Sequence, residues 1–206
     1  MSKQKEDHGH SNALAGYNSI RAMVAALEVD YDRLEELREK RDELREDIKS
    51  AEEALADAES SGLEGEVALA RQSLEECKTA AAMNYKDDSE ELEQLESAAG
   101  ECKDQDEARQ RIEEDALSVE VRSDWYTPGQ LNDASTPSEF KILLTTGGPA
   151  LQMRGELNQY GEPSRAWLEY QDWGTPWTQL VNDSEGNVVD QDVLLAYARC
   201  FYFGEG

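Results

Sequence analysis

The feature that most constrains this chain is an apolar repeat near its start. With Ile20 at heptad position a, the a positions are Ile20, Leu27, Leu34, Arg41, Ile48 and Leu55. The d positions are then Met23, Asp30, Leu37, Leu44, Ala51 and Ala58. Ten of these twelve are apolar, which draws one stripe along a helix and a coiled-coil seam. No Gly or Pro interrupts residues 17–60. A helix of about 43 residues would be ~65 Å long. No compact domain of this size covers such a rod on every turn, so another helix must.

"SSGLEGE" breaks the pattern at Ser60–Glu66. A second helix follows, with Leu63, Val67, Ala70, Leu74, Cys77 and Ala81 on one face. A hairpin at Gly62–Gly65 folds it back over the second part of the first helix, where the seam residues are small. Ile20, Met23, Leu27, Leu34, Leu37 and Leu44 then remain bare. Either the C-terminal domain or a second copy of the chain must cover them, and a homodimer through these six residues is the expectation. Asp30 and Arg41 would fix the register of the pairing. A third helix is expected over Ser89–Ala99, stopped by Gly100. A fourth runs over Asp104–Glu114, with Asp104 as N-cap and Glu107 three residues on.

The second half changes period. "LSVEVRSDW" alternates Leu117, Val119 and Val121 with Ser118, Glu120 and Arg122, which reads as a strand. Three more strands are expected at about 139–146, 150–157 and 164–170, joined by the turns "TTGGPA" and "NQYGEP". Asp190 caps a last helix whose Val193, Leu194, Tyr197, Ala198 and Phe201 share a face. The expected class is α+β: an extended N-terminal helical hairpin or coiled coil, then a small antiparallel β-meander covered by a C-terminal helix. The expected divisions are a disordered tail at 1–16, an acidic helical region at 17–116 and an aromatic-rich α+β domain at 117–206. Twelve of the fifteen aromatic residues, including all four tryptophans, follow residue 120, so the two halves must bury different kinds of core.

Charge bounds the partners. The formal net charge is -26, whereas a small domain needs only about 2–8 for solubility. Such an excess destabilises the compact state by self-repulsion. It repels DNA, RNA and anionic lipid surfaces and suits a basic partner. No apolar run reaches the length of a membrane span, and the first residues lack an apolar signal core. A cytoplasmic protein is expected, with Cys77, Cys102 and Cys200 as reduced thiols in no metal or redox spacing.

Catalytic chemistry finds little support. His8 and His10 stand in the tail without a third ligand nearby, and no His occurs in residues 11–206. A Ser–His or Cys–His pair is therefore excluded from residues 11–206, and neither a metal nor a cofactor is expected. "TTGGPA" lacks the Lys of a phosphate-binding loop and reads as a hairpin turn. Asp172 lies beside Trp173 in "QDWGTPW" and could be a general acid of raised pKa, but core tryptophans are the plainer reading.

Two stretches are purely acidic. One is Glu52, Glu53, Asp57, Glu59, Glu64 and Glu66. The other is Asp87, Asp88, Glu90, Glu91, Glu93, Glu96 and Glu101. Asp32 to Lys49, by contrast, interleaves bases with acids, as a solvated helix does. Six acids over about 15 helical residues give one per roughly 4 Å, near the ~3.4 Å spacing of phosphates along one DNA strand. Both runs are candidate partner-binding surfaces. Trp125, Tyr126, Trp173 and Trp177 flank turns and form a second candidate, since Trp and Tyr are enriched at binding hot spots.

The segments "LSVEVRSDWYTPG", "ILLTTGGPALQMRGEL", "LEYQDWGTPWT" and "LLAYARCFYFGE" resemble a family of small acidic proteins encoded by tailed bacteriophages and prophages, over roughly residues 112–205. The resemblance implies an accessory protein of the bacterial host cytoplasm and transfers no functional residue. The expected function is inhibition of a basic host protein that handles nucleic acid, such as a CRISPR effector or a restriction nuclease, through acidic mimicry of nucleic acid. The alternative is a structural or assembly protein of the phage particle.

Overall fold

The computed structural model describes residues 8–123 and 136–204, without the side chains of Asn84, Lys86 and Asp87. The fold is α+β. The chain divides into two compact units, Met1–Glu28 with Asp104–Gly206, and Val29–Lys103. Each has its own core.

The first unit is built on an antiparallel sheet. Its strands are β1 (Ser118–Ser123), β2 (Pro137–Thr145), β3 (Ala150–Leu157), β4 (Pro163–Gln171) and the short β5 (Thr178–Gln179), in the order β1-β2-β3-β4-β5. The period of two sorts the side chains. Phe140 and Ile142 of β2, Leu151 and Met153 of β3, and Leu168 of β4 are buried on one face. On that side lie α1 (His8–Leu27) and α6 (Gln191–Ala198), with α5 (Gln105–Asp115) packed on α1. Asp104 caps α5 by accepting from Glu107 N–H at 2.7 Å, and Asp190 caps α6 by accepting from Asp192 N–H at 2.9 Å. Buried Tyr197 of α6 donates its hydroxyl to Asp115 at 2.7 Å. Burial and that neighbouring carboxylate push the Tyr197 phenol well above its ordinary pKa.

Helix α1 corrects two expectations. Residues 8–16 are not a disordered tail: the helix starts at His8, and Gly9, Ala13, Tyr17, Ile20 and Val24 form its buried stripe. Small residues hide this stripe in the sequence yet let the helix lie close to the sheet. A Cβ on Gly16 would overlap the Leu151 side chain. The backbone N–H of Asp190 donates to the Tyr17 hydroxyl at 2.9 Å. Moreover, Ile20 (1% exposed) and Met23 (6%) belong to the core of this unit, with Leu27 packed against it. They are not a dimer seam. The sheet is covered by α1 as well as by the C-terminal helix, and α1 and α5 belong with the sheet, not to a helical domain ending at residue 116.

The long first helix is also interrupted. Residues 28–30 leave the helical conformation, and Asp30 is the N-cap of α2 (Tyr31–Ser61), accepting from Arg33 N–H at 3.0 Å. The acid read as a polar seam residue is thus a helix start that happens to fall in phase with the heptad. In the second unit α2 meets α3 (Glu64–Asn84) and α4 (Lys86–Ala99). Gly62 ends α2 with φ 73°, the left-handed region where a Cβ is unfavourable, so the hairpin turn falls where expected. Leu34 (1%) and Leu37 (0%) are buried with Leu92 and Ala99 of α4, while Leu44 is half-buried. The chain's own α4 covers the residues that had seemed to require a second copy.

Candidate functional site

The acidic surface starts with the bases of α2. Arg33 makes a forked contact to Glu91, its Nε donating to Oε1 at 3.2 Å and its Nη2 to Oε2 at 2.7 Å. It also reaches Glu36 at 2.9 Å. Arg38 Nε and Arg41 Nη1 both donate to Glu96 Oε1, each at 3.1 Å. Lys40 pairs with Asp88. Asp88, Glu91 and Glu96 occupy one side of α4, next to the apolar Leu92 and Ala99. A charge-assisted frame therefore borders the small core shared by α2 and α4.

The electrostatic consequences agree with the geometry. The hydrogen bond from Lys40 holds the Asp88 carboxyl below its usual range, and that from Arg33 does the same for Glu91. Hydrogen bonds from Arg38, then Arg41, lower Glu96. Glu91 and Glu36 in turn raise the Arg33 guanidinium. The Tyr85 hydroxyl is buried beside this frame, without a hydrogen-bond partner among the described residues, and burial pushes its pKa up.

The two acidic runs are thus unlike each other. In the run on α4, Asp88, Glu91 and Glu96 hold the fold together, and Glu90 and Glu93 face solvent. The side chain of Asp87 lies outside the described residues. In the hairpin run all six acids are exposed. Glu52 pairs with Lys78 at 3.1 Å and Glu59 with Arg71 at 3.3 Å. Glu66 accepts from the Ser61 hydroxyl at 3.2 Å. Among the described residues, no base pairs with Glu53, Asp57 or Glu64.

No family model, curated protein or solved structure matches the chain. Its surfaces have to be read from their own chemistry.

The aromatic candidates are dispersed. Trp125 and Tyr126 lie outside the described residues. Trp173 is 76% exposed, and its indole N–H donates to the Gly148 carbonyl at 3.1 Å, fastening the loop after β4 to the β2–β3 turn. Trp177, 39% exposed, borders a cavity of about 360 Å³ on the open face of the sheet.

That open face is what the sequence reading missed. Arg122 bonds Glu139 at 2.7 Å, Arg154 bonds the other oxygen of Glu139 at 2.9 Å, and Lys141 pairs with Glu120 at 2.8 Å. Gln152, only 6% exposed, donates to Glu169 at 2.7 Å, and Trp167 Nε1 donates to the other oxygen of Glu169 at 2.9 Å. The bonds from Arg122 and Arg154 hold the Glu139 carboxyl low. Alternation of polar residues along β2, β3 and β4 is the signal that could have found this face. Every acid in it already has a donor, so it forms a satisfied charge network and supplies no carboxyl poised to take or give a proton. Among the described residues, no three His, Cys, Asp or Glu side chains converge on a common metal position, and no helix is long and apolar enough to cross a membrane.

Proposed function

We propose that this is a phage-encoded accessory protein of the bacterial cytoplasm that binds, and thereby inhibits, a basic host protein that handles nucleic acid. The acidic hairpin formed by α2 and α3 is the contacting arm. One observation carries this reading: all six acids of the hairpin project into solvent, whereas on α4 Asp88, Glu91 and Glu96 are held in internal pairs and, among the described side chains, Glu90 and Glu93 face solvent. Among the described residues no base neutralises Glu53, Asp57 or Glu64, and Glu52, Glu59 and Glu66 stand close by. Helical spacing brings their density near that of phosphates on one nucleic-acid strand, as a competitor for a nucleic-acid channel requires. The paired run on α4 becomes a buttress for the hairpin's base, with a lesser part in recognition.

Recovery from a lysate of the bacterial host, read by mass spectrometry, identifies the partner. A nuclease or other nucleic-acid enzyme supports inhibition; virion proteins support the alternative of a particle or assembly protein. With the partner in hand, changing Glu53, Asp57, Glu64 and Glu66 to Gln or Asn should slow association about tenfold or more at 0.1 M salt. Glu90→Gln with Glu93→Gln should change it far less. Free nucleic acid should compete. Equal effects of the two sets, with no competition, would refute the hairpin as the arm.

A further inference from the structure

Strand β1 ends the sheet order, and among the described residues only β2 pairs with it. One side of its backbone is therefore a template for another strand. Leu117 (58%), Val119 (38%) and Val121 (43%) are exposed, although Val119 and Val121 stand opposite Ile142 and Phe140, two residues of the buried core. Helices α1 and α6 pack over β3 and β4. Among the described residues their cover stops short of β1, where Val119 and Val121 are exposed.

On the other face of β1, Glu120 pairs with Lys141 and Arg122 with Glu139. Charges commonly protect an edge from pairing. Here they have opposite signs and sit two residues apart, which makes the edge self-complementary in one register. Suppose two copies run antiparallel about a two-fold axis at Val121. Each Glu120 then faces Arg122 of the other copy, twice over, and Val121 faces Val121. Centring on Glu120 or on Arg122 instead opposes like charges, which destabilises a pair. Centring on Val119 sets Glu120 against Ser118 and gains no ion pair.

We propose that the β1 edge is a self-association surface, on which two copies pair β1 with β1 about Val121 and join their sheets into one. The in-chain run Arg154–Glu139–Arg122 then continues into Glu120 and Lys141 of the second copy, with signs alternating throughout. On the opposite face, Phe140 and Val121 of each copy meet in one apolar row. This surface is independent of the acidic arm, so binding to a basic partner and self-association can fail separately.

The strand is short, ~20 Å at six residues, and the patch is smaller than a standard interface. Association should thus be weak, and sedimentation of the full chain should be followed up to about 0.5 mM. A reversible monomer–dimer equilibrium is expected. Glu120→Arg alone sets Arg against Arg, and Arg122→Glu alone sets Glu against Glu. Each should weaken self-association about tenfold or more. An equimolar mixture of the two variants restores both opposite-charge pairs and should recover dimers. A wild-type monomer throughout, two variants that associate as wild type does, or a mixture that fails to recover would each overturn the proposal. Circular dichroism establishes that each variant is folded. Should either fail that check, hydrogen exchange of the wild type decides. The amides of β1 should exchange more slowly at high protein concentration than at low, and unchanged exchange would sink the pairing.

Discussion

Glu96 accepts from two arginines three residues apart on α2, and the arrangement makes its contribution depend on pH in a definite direction. Its folded-state pKa lies below that of the unfolded chain. The stabilisation is therefore present above the ordinary carboxylate range, about 4–4.5, and is lost as pH falls through the depressed folded value. More than a third of the side chain is in water, so Glu96→Gln should cost only about 0.5–1 kcal/mol at pH 7. The difference between variant and wild type, from urea unfolding at each pH, should shrink as the pH is lowered below the ordinary carboxylate range, about 4–4.5. A constant difference would show that Glu96 acts by packing and not by charge. Asp30 illustrates a different point at this scale. Its type and position fit either a polar seam residue or a helix cap, and only the backbone leaving the helix at residues 28–30 separates them.

Among the elements, α4 has the most consequence, because it covers Leu34 and Leu37 and supplies the acids that neutralise α2. Leu37 is fully buried there, and Leu37→Ala should destabilise the helical unit by roughly 2–4 kcal/mol. All four tryptophans lie outside Val29–Lys103, so two probes read the two units. The far-UV circular dichroism midpoint should fall well before tryptophan fluorescence moves. A shared shift of both midpoints would contradict separate cores. Much of this was legible in the sequence. The hairpin at Gly62, the Asp104 cap and the limits of β2, β3 and β4 follow from local chemistry that tertiary contacts do not override. What was not legible depends on contacts far apart in sequence. The bases of α2 and the acids of α4 are each plain, but nothing in either run says that they meet. The first part of α1, residues 8–16, escaped notice because Gly9 and Ala13 carry its stripe there with almost no hydrophobic signal.

For the molecule as a whole, 46 acidic residues against 20 basic ones set a uniform repulsion on the folded state. Sodium chloride screens it, as the screening length falls from about 10 Å at 0.1 M to about 3 Å at 1 M. The internal ion pairs are screened too, but they act at short range and mostly in partly exposed positions, where each is worth little. Raising the salt from about 0.02 M to about 0.5 M should therefore lift the melting temperature by roughly 3–6 °C. A lower melting temperature in salt would mean that the pairs on α4 and the sheet outweigh the repulsion.

The bond from Asp190 N–H to the Tyr17 hydroxyl spans 173 positions of the chain, which bears on the order in which a ribosome delivers the parts. Helix α1 leaves the exit tunnel well before the sheet it covers is translated. At about 5–20 residues per second, the wait is ~10–35 s. The helical unit between them makes its contacts within 75 consecutive residues and can close while translation continues. Throughout that interval Tyr17, Ile20 and Val24 have no sheet to lie on. A nascent chain that stalls before β3 and β4 are made keeps this stripe bare.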